Sequence, residues 1–91
     1  MDVIQDLGSL YSFLKRVTGE SGQLNFQGRL IIYKAEGRIH ELKWVYDGTA
    51  WDVESGTSVK AKHYQSSQGA LEHAVKELIE KLKAKKILAK L

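Results

Sequence analysis

Two segments with the periodicity of amphipathic helices enclose a central region that alternates like β-strands, and this order restricts the chain to α+β architectures. In residues 3–17, apolar side chains recur at spacings of three and four, which is the pattern of one buried helical face. Asp2 is placed to cap this helix. A second helix is expected to start at Ser66 or Ser67. Its predicted buried stripe comprises Leu71, Ala74, Val75, Leu78, Ile79 and Leu82.

The region between the helices begins with a strand-like alternation over residues 23–35. Gly28 lies in the middle of this run, which indicates a bulge or a bend. A three-residue hairpin loop at 35–37 is preferred over a two-residue turn because it pairs Leu30 with Leu42 on one apolar face. The sequence therefore predicts a first hairpin with its turn at a glycine.

A second strand is predicted over residues 38–46, followed by Asp47–Gly48, the strongest short hairpin signal in the chain. A two-residue turn there places Trp44 opposite Trp51, on the face that the helices cover. Residues 57–64 form a fourth, weaker strand. The predicted fold is α+β in the order α-β-β-β-(β)-α, an antiparallel three- to four-stranded meander with the N- and C-terminal helices packed on one face.

In this register the outer face of the sheet is rather apolar for a solvated surface. It carries Ile31, Tyr33, Ile39 and Val45 among Lys43, Lys60, Lys62 and Tyr64. Two explanations stay open. In the first, these residues are simply good strand formers, or one of the predicted registers is wrong. In the second, a partner chain covers this face. The same aromatic and basic side chains also suit the stacking of nucleic-acid bases.

The net positive charge of the chain is concentrated in residues 81–91. This segment holds five lysines and no acid: Lys81, Lys83, Lys85, Lys86 and Lys90. The whole chain has 14 basic and 11 acidic groups, so residues 1–80 hold 9 and 11 and carry a charge of −2. The cluster is suited to sequence-independent, salt-sensitive contacts with phosphates. The alternative is an ordinary solvated helix end, where cations favour the C-terminal dipole.

These observations predict a small non-enzymatic protein that binds DNA or RNA largely without sequence preference. The predicted contacts are the five lysines of the tail together with Lys43, Lys60, Lys62, Tyr33 and Tyr64 of the sheet.

A second group of residues points to self-association. Ile87, Leu88 and Leu91 lie on the opposite side of the last helix from its buried stripe. Either the helix ends near Lys83 and the tail frays, or this edge meets a second molecule or a membrane surface. The latter predicts a homodimer with these three residues at its interface, and a protein-interaction module is the alternative function. The chain is expected to be a single domain, 1–91, with a lysine-rich helical extension over 81–91.

Other chemistries find no support in the sequence. Cysteine is absent, and His40, His63 and His73 lack metal-ligand spacing. No nucleophile elbow and no phosphate-binding loop is present. We therefore expect no enzyme, no cofactor, no metal and no small-molecule substrate. The chain lacks the roughly 18 apolar residues that a membrane span requires, and its N-terminus is unlike a signal peptide, which predicts a cytoplasmic protein without membrane insertion.

The α-β-β-β-α order is similar to that of the double-stranded-RNA-binding domain, over most of the chain but only as an order of elements. That family carries a lysine-rich motif at the start of its last helix. The corresponding segment here is Ser66-Ser67-Gln68-Gly69-Ala70, and the next lysine is Lys76. The chain is therefore not assigned to that family.

Overall fold

The computed structural model describes residues 2–88 and has a five-stranded mixed sheet with two helices on one face. In chain order the elements are β1 (Asp2–Ile4), α1 (Leu7–Arg16), β2 (Ser21–Phe26), β3 (Arg29–His40), β4 (Lys43–Asp52), β5 (Ser58–Tyr64) and α2 (Ser67–Ala84). The strands are neighbours in the order β1-β2-β3-β4-β5. Strand β1 is parallel to β2, and the other pairs are antiparallel. The predicted α+β fold is confirmed, and the short parallel strand β1 is an addition to it.

Helix α1 begins later than the periodicity predicted because Asp6, not Asp2, is its N-cap. The Asp6 carboxylate accepts hydrogen bonds from the Ser9 amide at 2.8 Å and from the Ser9 hydroxyl at 3.0 Å. The bond from the Ser9 amide is the main reason why the pKa of Asp6 lies below its ordinary value. Val3 and Ile4, which the pattern assigned to the helix, pair with β2 instead, together with the predicted cap Asp2.

Helix α2 agrees with the sequence prediction. Ser66 is its N-cap and accepts a hydrogen bond from the Gly69 amide at 3.0 Å. The predicted stripe is buried in full: Leu71, Ala74, Val75, Leu78, Ile79 and Leu82 are at most 1% exposed. Gln68 donates a hydrogen bond to the Leu14 carbonyl at 2.8 Å, which joins the start of α2 to the end of α1.

Over β3 and the second half of β4, the faces of the sheet are opposite to those predicted, whereas Trp44 and Val45 lie on the expected faces. Ile31 and Tyr33 are 0% and 5% exposed and pack beneath the helices, although the sequence placed them on the outer face. Trp44 pairs with Ile39 rather than with Trp51, and it is 58% exposed. The predicted core pairing of the two tryptophans is therefore wrong.

The predicted faces were wrong because Gly48, which was expected to lie in a turn, lies inside a strand. Asp47–Gly48 lies inside the continuous strand β4, where Gly48 pairs with Ala35. A Cβ atom at Gly48 would lie well inside van der Waals contact of the Ala70 carbonyl. Gly48 thus permits a close approach of α2 to the sheet, and the hairpin signal at this position is misleading.

The real hairpin turns lie at Gln27–Gly28 and Glu41–Leu42, between the paired residues that flank them. All four residues have positive φ, with values of 51°, 82°, 50° and 65° in chain order. Two-residue turns of this kind match the twist of the flanking strands. The position at Gly28, expected to be a bulge or a bend within one strand, is thus a chain reversal between β2 and β3.

The C-terminus of α2 folds back on the protein. Lys86 takes a positive φ of 60°, the amide of Ile87 donates to the Leu82 carbonyl at 2.9 Å, and the amide of Lys86 donates to the Lys83 carbonyl at 3.0 Å. This is the Schellman arrangement, which ends a helix. The predicted helical extension over 81–91 therefore stops at Ala84.

An ion pair is buried where β3 begins and β4 ends. Asp52, with a side chain 0% exposed, contacts Arg29 at 2.5 Å and accepts bonds from the amide and hydroxyl of Ser55 at 3.2 and 2.6 Å. Burial by itself would raise the pKa of Asp52, but the hydrogen bonds from Arg29 and Ser55 outweigh it and hold that pKa below its ordinary value. Asp52 is thus a core residue, whereas the predicted register placed it on the outer face.

Candidate functional site

The β3–β4 hairpin extends beyond the part of the sheet that the helices cover, and its end is the main exposed apolar surface of the described residues. We call residues 39–44 the hairpin tip. Ile39 is 70% exposed, Leu42 is 98% exposed and Trp44 is 58% exposed. The tip therefore presents three large apolar side chains to solvent within six residues.

The turn that presents Leu42 is conformationally unfavourable. Glu41 and Leu42 both occupy the left-handed region, which L-residues with a Cβ adopt at a cost of about 1–2 kcal/mol each. Asn-Gly or Asp-Gly is the usual choice for such a turn. Backbone strain of this kind concentrates at functional positions.

Trp44 is held in place by a gap in the neighbouring strand. Its indole ring lies over Gly37, where a Cβ atom would collide with the ring. On its own strand it makes an edge-to-face contact with Tyr46, with ring centroids 6.2 Å apart at 85°. Ile39 lies directly opposite it on the ladder. Trp44 and Ile39 therefore form a cross-strand apolar pair on the side of the sheet that faces the helices.

Cationic and polar groups flank the tip on the other side of the sheet. Arg38 donates a hydrogen bond to Asp47 at 2.7 Å. This bond is the main reason why the pKa of Asp47 lies below its ordinary value, since burial acts in the opposite direction. The imidazole of His40 stacks on that of His63 at 4.2 Å, and Lys43 pairs with His40 across the ladder and is exposed.

A shallow cleft lies next to these groups, between β3, β4 and β5. It is lined by Glu36, Gly37, Arg38, Asp47, Thr49 and Lys60. Two cations and two carboxylates balance within it, and Arg38 already bonds Asp47. The cleft therefore lacks the excess positive charge that a dedicated anion pocket needs.

The lysines of the C-terminal segment form a second surface. We call Lys81, Lys83, Lys85 and Lys86 the lysine end; all four are exposed. Lys81 Nζ donates to the Ser58 carbonyl at 3.0 Å, and Lys85 Nζ lies 3.4 Å from the Thr57 hydroxyl. These contacts fix the lysine end beside the loop that joins β4 to β5. The predicted contact Lys90 lies outside the described residues.

The structure does not bring the other predicted nucleic-acid contacts onto one surface. Tyr33 is buried and packs edge-to-face against Phe13 at 6.5 Å, so its ring is not available to a base. Tyr64 stacks on His73 of α2 at 4.6 Å, on the helix side of the sheet. The three sheet lysines are exposed: Lys43, Lys60 and Lys62. The expected aromatic-basic sheet face, with both tyrosines beside the lysines, is therefore wrong.

The apolar residues predicted to form a dimer interface also do not make one exposed surface. Leu88 is 6% exposed and belongs to the core of its own chain, because the Schellman turn directs it inward. Ile87 is partly buried against the same core, and Leu91 lies outside the described residues. Self-association stays a prediction, but without the surface from which it was inferred.

Between residues 2 and 88 the structure shows neither a membrane-spanning helix nor a cluster of metal-binding side chains. Neither helix there has the length and apolar character that a membrane crossing demands. In the same range, no three side chains of the metal-binding types come together.

Comparison with known proteins finds a relative that matches part of the chain. The anti-lipopolysaccharide factor of Tachypleus tridentatus is 33% identical over 66 residues, which are 71% of this chain and 64% of that protein. The chain thus spans less than two thirds of the length of this relative. No family model and no solved structure matches the chain.

Proposed function

We propose that the protein binds anionic amphiphiles of the lipopolysaccharide class through the hairpin tip. The observation that carries this proposal is Leu42, which is 98% exposed in a turn whose two residues both have positive φ. A strained turn that presents a large apolar side chain to water is unfavourable for the free protein. Transfer of the leucine side chain to an apolar phase offsets this cost.

The chemistry around the tip suits such a ligand. Leu42, Ile39 and Trp44 can enter an acyl layer, where each fully buried side chain contributes about 1.5–3 kcal/mol. Lys43, on the opposite face of the hairpin from Ile39 and Trp44, supplies an exposed cation within the tip for a phosphate of such a ligand. Lipopolysaccharide combines acyl chains with phosphates, and the name of the relative describes a factor directed against it. That name supports the proposal independently of the geometry.

Leu42→Asn provides the test. Asparagine tolerates the left-handed region, so this variant removes the apolar group without disturbing the turn. We expect affinity for lipopolysaccharide to fall at least about tenfold, from the lost burial of one leucine. Trp44 reports directly on binding in a Trp51→Phe background, because its emission should shift to the blue when the tip enters an acyl layer.

Val53→Ser is the matched control. Val53 is also an exposed apolar residue, at 48%, but it follows β4 at the far end from the tip. This variant should bind lipopolysaccharide as the unaltered chain does. Equal binding by Leu42→Asn and the unaltered chain would remove the tip from the binding site and contradict the proposal.

Nucleic-acid binding through the lysine end is a second proposal. The observation that favours it is the grouping of four exposed lysines in the six residues 81–86. Non-specific contacts of this kind weaken steeply as salt rises from about 50 to 200 mM. Replacing the four lysines by glutamine should weaken binding to all DNA and RNA sequences alike and flatten the salt dependence. The absence of binding at low salt would remove this second function.

A further inference from the structure

We propose that one molecule of this protein bridges two anionic lipid surfaces, with the hairpin tip inserted into one and the lysine end held against the other. The inference rests on the proposed function, because the tip supplies the first attachment. It adds a second interaction surface of different chemistry and predicts clustering of lipid particles rather than binding alone.

The two surfaces lie at opposite ends of the molecule. The tip leads directly into Lys43, the first residue of β4. The lysine end contacts Thr57 and Ser58, just beyond the other end of that strand. Ten strand residues separate the two, which corresponds to about 33 Å. The longest dimension of the protein is 42 Å, so the two surfaces occupy its extremities.

Helix α2 lies between the tip and the lysine end on one face of the sheet. The start of α2 packs on the sheet between them, with Ala70 against Gly48. A helix with its side chains is about 10–12 Å thick, so these first turns project from the face that also carries Ile39 and Trp44. The lysine end lies at the C-terminal end of this same helix, about 33 Å along the sheet from the tip. Two separate surfaces, one at each end of the molecule, therefore engage the tip and the lysine end at once.

The lysine end suits adhesion rather than insertion. Its apolar neighbours Leu82 and Leu88 are 0% and 6% exposed, and Ile87 is partly buried against the core, so none of the three presents a fully exposed side chain to an acyl layer. The lysines are point charges, and each contributes about a factor of five to affinity for an anionic lipid surface. Residues 1–80 carry a net charge of −2, so the lysine end is the part of the molecule that such a surface attracts.

Clustering of vesicles tests the inference. The probe is vesicles of phosphatidylcholine with a minor fraction of phosphatidylglycerol, measured by co-sedimentation for binding and by dynamic light scattering for particle size. The unaltered chain should bind and should cluster the vesicles. Lys83→Gln with Lys86→Gln should keep the binding through the tip, but weaken the second attachment by about 30-fold and abolish clustering at the same bound density.

Lys15→Gln with Arg16→Gln is the matched control, since it removes the same charge from exposed positions at the end of α1. This variant should cluster vesicles as the unaltered chain does. Leu42→Asn should weaken binding at least about tenfold and abolish clustering, because only the attachment through the lysine end is then left intact. If Leu42→Asn binds normally, the proposed function fails; if binding depends on Leu42 but Lys83→Gln with Lys86→Gln still clusters vesicles, only the bridging inference fails.

Two other outcomes would overturn the bridge. The bridge requires that light scattering of the free protein gives the mass of one chain. A dimer, which the sequence predicts, would instead explain clustering by two tips in one assembly. If the lysine end serves a lipid surface and not nucleic acid, a DNA duplex added at equal phosphate concentration leaves clustering in place. Loss of clustering together with capture of the duplex on the vesicles would assign the lysine end to nucleic acid.

Discussion

The backbone of Gly48 in β4 lies directly against the carbonyl of Ala70 in α2, so strand and helix touch main chain to main chain. Gly48→Ala would force a methyl group into this contact. We expect the free energy of unfolding, measured by urea denaturation, to fall by about 1–3 kcal/mol. The matched variant is Gly37→Ala, whose methyl group meets the ring of the exposed Trp44. That ring can move, so the cost should be less than about 1 kcal/mol. Equal effects of the two variants would contradict the main-chain contact.

The turn at Glu41–Leu42 predicts a conflict between stability and binding. Glu41→Asn with Leu42→Gly introduces the residues that a turn with two positive φ values favours. The free energy of unfolding should rise by about 1–2 kcal/mol, because the strain of two L-residues is relieved. Affinity for lipopolysaccharide should fall at the same time, because the tip has lost its leucine. Unchanged stability would mean that the turn is not strained.

The Schellman turn at the end of α2 predicts a stabilising substitution. Lys86 has a φ of 60°, a conformation that glycine adopts freely. Lys86→Gly should raise the free energy of unfolding by about 0.5–1 kcal/mol. Lys85→Gly removes the same charge at a φ of −83° and should lower it by about 0.5 kcal/mol. The opposite signs of the two effects would establish the position of the turn by urea denaturation alone.

The buried pair of Arg29 and Asp52 predicts a dependence of stability on pH. The pKa of Asp52 is lower in the folded protein than the ordinary value of about 3.9, so its ionised form stabilises the fold above about pH 4. This contribution is lost as the pH falls through the folded pKa, because the unfolded chain then binds more protons. Asp52→Asn should cost about 3 kcal/mol at pH 7, and the difference from the unaltered chain should narrow below pH 4.

Asp6→Asn is the control for that measurement. Asp6 also has a lowered pKa, but it lies at the exposed start of α1, where asparagine caps a helix equally well. This variant should change stability little at any pH. An equal loss of unfolding free energy in the two variants would show that the burial of Asp52 does not increase the stabilisation by its carboxylate.

The helices could be predicted from the sequence, whereas the sheet register could not. The stripe from Leu71 to Leu82 repeats over an 18-residue helix, and that repetition fixes the buried face. In a strand, a shift of one residue moves every side chain to the other face. The register depended on Gly37 and Gly48, which indicate turns locally. In the folded protein these glycines accommodate the ring of Trp44 and the backbone of α2.

The candidate site was missed for a related reason. Neither Glu41 nor Leu42 is a residue type that predicts a turn, so no local signal marks the real reversal of the chain. Leu42 and Trp44 were accordingly assigned to the core, as large apolar residues usually are. The burial of Leu88 could not be predicted from the sequence either, because the turn that precedes it depends on Lys86 adopting a conformation that normally requires glycine.

The projection of the β3–β4 hairpin beyond the helices has a consequence for how this protein can change. Residues 39–44 contribute no side chain to the core, so a library that randomises them should yield mostly folded members. Selection among such members could alter which amphiphile is recognised while leaving the scaffold intact. The hairpin tip is thus an exchangeable part, and recognition can be re-engineered there without altering the core.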